Sequence, residues 1–159
     1  MLVTSLFAMT FVLCAALEVV GQIPPPSNPS TVAPPVWSRV LKMPDGRTFV
    51  SDGGIAIDAA IARPEALPPT VAAAQSATLL AGYLTAVYEQ EIGLSDLGLG
   101  SLKNTFVTPS GVVLNGNYVN FLRRTLSPAS VRLRVKDDTT PVAIVVDGKS
   151  VGVLMPVRR

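Results

Sequence analysis

Three groups of side chains in this 159-residue sequence have types and spacings that could support chemistry. Gly148-Lys149-Ser150 has the ending of a phosphate-binding loop, in which backbone amides and a lysine cradle phosphate oxygens. That loop also needs a glycine five residues before Gly148 and a helix after the serine. Position 143 is Ala143 and a strand pattern follows, so the reading here is a hairpin turn. Asp45, Asp52 and Asp58 could offer carboxylates to calcium, but their spacing is not that of a calcium loop and no closing glutamate follows, which leaves turn chemistry. Asp137-Asp138 could act as an acid/base pair. Beside Lys136, and between two strand patterns, it reads as a solvated turn.

The chain has no histidine and one cysteine, Cys14. A serine nucleophile would lack its usual base, no Gly-x-Ser-x-Gly elbow is present, and a zinc ligand set cannot be assembled. A lone thiol cannot close a disulfide within the chain. The expectation is therefore a protein that is not an enzyme and uses no metal or cofactor.

The elements that position these groups can be read from the hydrophobic pattern. Apolar residues make up 48% and charged residues 15%, a composition with enough apolar surface to form one core, and 14 prolines and 12 glycines imply many turns. Charge is unevenly spread: residues 1–100 hold four basic and eight acidic side chains, and residues 101–159 hold nine and three. The C-terminal third is the basic part.

Residues 36–41 and 48–50 read as β-strands joined by the hairpin signal Asp45-Gly46, with Asp52-Gly53-Gly54 turning the chain into residues 55–57. Arg63 to Pro69 reads as a linker. The spacing of Leu79, Leu80, Tyr83, Leu84, Val87 and Tyr88 predicts a helix over 71–90, capped by Thr70 and ended by glycine-rich sequence. Strands are expected at 105–107 and 111–114. Asn115 can then cap a helix to Leu126 that buries Tyr118, Phe121 and Leu122 and leaves Asn117, Asn120 and Arg124 on the other side. Residues 131–136 alternate strictly, with Val131, Leu133 and Val135 toward a core and three cations toward water. Two further strands, 141–146 and 151–157, complete the chain.

The C-terminal run is the most specific part of the sequence. Leu114-Asn115-Gly116-Asn117-Tyr118-Val119 leads through Val131-Arg132-Leu133 and Pro141-Val142-Ala143-Ile144 to Val153-Leu154-Met155-Pro156-Val157-Arg158-Arg159. In that order these segments resemble the end of the bacterial sliding clamp, the DNA polymerase III beta subunit, whose chain closes with a helix opening Asn-x-x-Tyr, three strands and Met-Pro-x-Arg. Leu17 to Gln22, Pro35 to Leu41 and the two Asp-Gly turns resemble the first half of a clamp domain. The resemblance covers roughly residues 11–62 and 112–159.

The resemblance implies an α+β fold: a single clamp-like domain over 1–159, made of two similar helix-plus-antiparallel-sheet halves with an extra central helix. The first half would be 1–63, the linker and inserted helix 64–110, and the second half 111–159. It further implies a sliding-clamp-like processivity factor in the cytoplasm, a homo-oligomer that encircles or associates with double-stranded DNA without reading its sequence. Arg123 and Arg124 would contact phosphates. A polymerase or other clamp-binding peptide would sit in an apolar groove formed by Val142, Ile144, Val153, Met155, Pro156, Val157 and Arg158. Family clamps carry three domains per chain, whereas this chain has material for one.

A second reading stays open. Met1 to Val20 is apolar apart from Glu18, as in an exported or membrane-anchored small β-rich domain with an N-terminal targeting helix, although no Lys or Arg precedes Arg39. The alternative for the same residues is a buried helix ended by Pro24-Pro25-Pro26.

Overall fold

The computed structural model describes residues 34–158. The expectations for Met1 to Val20, whether targeting segment or buried helix, and for Cys14 lie outside the described residues.

The chain first forms a meander of β1 (Arg39–Lys42), β2 (Thr48–Ser51) and β3 (Ile55–Asp58). Asp45-Gly46 makes the first turn as its composition dictates: Gly46 sits at φ 85°, and the Asp45 carboxylate accepts the Arg47 backbone N–H at 3.0 Å. Asp52 makes the second turn, its Oδ1 accepting the N–H groups of Gly54 and Ile55 at 2.9 and 3.1 Å. Asp58 caps the short α1 (Ala59–Ala62), which the sequence pattern did not suggest.

The central helix is shorter than its apolar spacing predicts, α2 spanning Ala74–Thr85. Its start is displaced because residues 70–72 run parallel to β1: the Val40 N–H donates to the Thr70 carbonyl at 2.8 Å and the Ala72 N–H to the Val40 carbonyl at 2.7 Å. Its end is displaced because Gln90–Gly93 becomes β4 and pairs with β8. A short 3-10 turn, Leu94–Asp96, follows.

Next comes a small three-stranded antiparallel sheet of β5 (Gly98–Leu99), β6 (Thr105–Val107) and β7 (Val113–Asn115). The helix α3 (Gly116–Thr125) starts where Asn115 predicts, with the Asn115 side chain accepting the Asn117 N–H at 2.9 Å. It buries Val119, Phe121 and Leu122, whereas Tyr118 lies at the margin. The chain ends in β8 (Val131–Val135), β9 (Val142–Val146) and β10 (Lys149–Leu154). Asp147 and Gly148, at φ 49° and 78°, form the tight turn between β9 and β10, so Lys149 and Ser150 belong to a strand and the phosphate-loop likeness ends there.

Among the described residues the large sheet has seven strands in the order β1-β2-β3-β10-β9-β8-β4, every neighbouring pair antiparallel. One face shares a core with α3 and the small sheet; Ile57, Leu122, Leu133, Ile144 and Leu154 lie in it with almost no exposure. On the opposite face Leu41, Phe49, Ala56 and Val153 pack against Ala77, Leu80 and Leu84 of α2. The result is α+β: helices on both sides of a mainly antiparallel sheet.

Candidate functional site

Helix α2 does not close fully onto the sheet, and an open groove of about 270 Å³ remains between them. Its floor is one cross-strand row on the α2 face: Arg39 opposite Ser51, Ser51 opposite Ala56, Ala56 opposite Val153. Leu79, Leu80 and Tyr83 of α2 form the wall. Leu79 and Met155 expose 55% and 36% of their surface at its rim, so the site presents apolar surface to solvent at a concave position.

The residues expected in a partner groove are divided by this geometry. Val153 and Met155 line it. Val142 and Ile144 do not; both are fully buried on the α3 face of the sheet. The cause is a β-bulge in β10 between Ser150 and Gly152. Counting back from the Asp147-Gly148 turn without a bulge would set Val153 opposite Val142, on a common face. With the extra residue Val153 lies opposite Ala143, and Val142 lies opposite Leu154. Beyond β10 the chain is fixed by its backbone: the Met155 N–H donates to the Gly54 carbonyl and the Val157 N–H to the Val113 carbonyl, each at 2.8 Å. Pro156 and Val157 are half-buried there, and Arg158 is exposed.

The two arginines of α3 have different surroundings. Arg123 is half-buried, its Nη2 donating to the Leu94 carbonyl at 2.8 Å while the guanidinium lies 4.6 Å from the Phe106 ring centre. Arg124 is exposed. Both stand in the last turn of α3, where cations complement the helix dipole.

The carboxylates of Asp45, Asp52, Asp58 and Asp137 are engaged in local structure. Asp45 pairs with Arg47, whose Nε lies 2.8 Å away, and hydrogen bonds from Arg47 hold its carboxyl below the usual range. Asp137 accepts the Thr139 N–H and hydroxyl and the Thr140 N–H, which keeps it ionised well below the usual range. Asp52 also accepts the Tyr118 hydroxyl at 2.9 Å; burial, then this bond, pushes the phenol up to about 12. Among the described residues no group of His, Cys, Asp or Glu is arranged to hold a metal ion, and no helix is long and apolar enough to cross a membrane.

No family model, curated protein or solved structure matches the chain.

Most of the groove is not legible in the sequence. Leu79, Leu80 and Tyr83 were legible as a helix face, but nothing local ties that face to Ala56 and Val153.

Proposed function

We propose that the chain is a clamp-like, non-enzymatic scaffold that holds a short apolar segment of a partner protein in the groove between α2 and the sheet. The observation that carries this reading is the position of Met155, which opens the Met-Pro-x-Arg run, and of Val153 two residues before it, in an open apolar groove with exposed leucine and methionine at its rim. Met155 suits a site that must accept different side chains, because an unbranched thioether repacks at small cost.

The strand order supports the two similar halves that the resemblance implies. By strand order and direction alone, a half-turn about the sheet normal between β3 and β10 would carry the meander β1-β2-β3 onto β8-β9-β10, since β3 and β10 are antiparallel neighbours. Helix α3 precedes the second meander, in the order that the clamp pattern requires. In this reading residues 64–110 contribute the added helix α2, and that helix supplies one wall of the groove.

Association with duplex DNA is the further part of the proposal, with α3 toward the DNA and Arg124 as the phosphate contact; ring formation would need several copies of this one-domain chain. Arg123 would act mainly by fixing α3 to the small sheet. The groove reading is tested by selecting random linear peptides against the full chain and repeating the selection with Leu79→Asp, a change at an exposed rim position. Enrichment of apolar pairs on the parent chain, lost in the folded variant, is expected. Equal enrichment on both would remove the groove from the function.

A further inference from the structure

Resting on the groove proposed above, the geometry points to a partner segment that carries an acidic side chain beside its apolar anchors, and we infer that Arg39 selects it. Among the described residues Arg39 is the only charged side chain lining the groove. It stands at the outer end of the row Arg39, Ser51, Ala56, Val153, so its direction is set by strand register and it shares a face with the apolar floor. Among the described residues the guanidinium of Arg39 has no ion-pair or hydrogen-bond partner, whereas Arg47 on the neighbouring strand is paired with Asp45 and Arg134 with Glu91.

An apolar segment lying in the groove would partly desolvate this guanidinium. A cation losing water without a partner opposes binding, and a carboxylate at that end relieves the opposition through a two-pronged contact with the planar guanidinium. Ser51 and Ser76, which also line the groove, are neutral and leave the sign of the field to Arg39. The occupant is therefore a short segment of another protein with an aspartate or glutamate next to large apolar residues. The contact contributes selectivity more than affinity, as charges at the rim of an interface do.

The experiment is a selection of random linear peptides, displayed with their C-termini fused so that only side-chain carboxylates are present, on the parent chain and on Arg39→Glu. Parent selections should enrich an acidic residue at fixed spacing from an apolar pair, and Arg39→Glu selections should exchange it for a basic one. For a synthesised parent-selected peptide, Arg39→Ala should weaken binding about 2- to 5-fold at low salt, with the difference shrinking as salt rises. Arg39→Lys should restore only part of it, because an ammonium keeps the charge but not the two-pronged contact. Apolar enrichment without an acidic preference would overturn this inference and leave the groove reading intact. Failure of any apolar peptide to enrich would overturn both.

Discussion

The hydroxyl of Tyr118 on α3 donates to Oδ2 of Asp52, 66 positions away in the β2–β3 turn, at 2.9 Å. The ring lies so close over Gly54 that a Cβ there would collide with its hydroxyl. The same turn receives the Met155 N–H on the Gly54 carbonyl, so one loop ties together α3, the first meander and the C-terminal segment.

Tyr118→Phe should destabilise the fold by about 1–2 kcal/mol, the lower part of the range for a hydrogen bond to a charged acceptor because the site is only partly buried. The phenol is raised to about 12 in the folded chain. A raised pKa means that the native state holds its proton more tightly, so the stability from this bond is full below about pH 10 and is lost as pH climbs toward 12. Urea unfolding of both chains at pH 8 and pH 11 should show the gap between them narrowing. A gap that stays constant would place the effect elsewhere.

Gly152 and Gly82 should respond to alanine in opposite directions. At Gly152, beside the bulge, a Cβ would meet the Ala56 carbonyl oxygen at 2.5 Å and the Ile57 Cα at 3.1 Å, backbone atoms that cannot move aside cheaply. The expected loss is about 1–3 kcal/mol or more. At Gly82, within α2, nothing among the described residues lies within 4 Å of the added Cβ, and alanine should add about 0.5–1 kcal/mol by lowering the entropy lost on helix formation. Thermal unfolding of the two variants checks both signs.

Ile144→Ala and Met155→Ala should separate core from groove. The first removes a fully buried side chain and should cost about 2–5 kcal/mol of stability. The second acts on a residue 36% exposed, should change stability by less than about 1 kcal/mol, and should weaken a selected peptide several-fold. Titration calorimetry beside urea denaturation reads the two quantities separately. A Met155→Ala chain that binds the peptide unchanged would remove that residue from the site.

Arg123→Ala should lower stability by about 1–3 kcal/mol, because it loses both a charged hydrogen bond to the Leu94 carbonyl and the contact with the Phe106 ring. A double-mutant cycle with Phe106→Leu should return a coupling of about 0.5–1.5 kcal/mol. Arg124→Glu is the variant expected to weaken association with duplex DNA, with a shallower dependence on salt. If neither chain binds duplex DNA at low salt, the DNA part of the proposal fails while the groove stands.

How far the fold could be read in advance depended on the range of the deciding interaction. Asn115 capping α3, Asp45-Gly46 turning β1 into β2 and Asp147-Gly148 turning β9 into β10 are settled within a few residues, and all three are where the sequence puts them. Strand β4 was hidden because Gln90-Glu91-Ile92-Gly93 has no distinctive period and owes its conformation to β8, some forty positions further on. Thr70 lost its expected capping role to a backbone bond with Val40. For the candidate site the decisive event was a single bulged residue, Val151, which moves Val153 away from the face of Val142 and Ile144. Side-chain identity alone does not announce such a shift, because Val151 and Val153 fit either face.

The strip at 70–72 also guards the sheet. By occupying both the donor and the acceptor of Val40, it leaves the outer margin of β1 with nothing to offer an incoming strand at that position. Proteolytic nicking within the proline-rich stretch ahead of it would free this margin, and the first symptom of such damage should be fibrillar self-association rather than loss of helix.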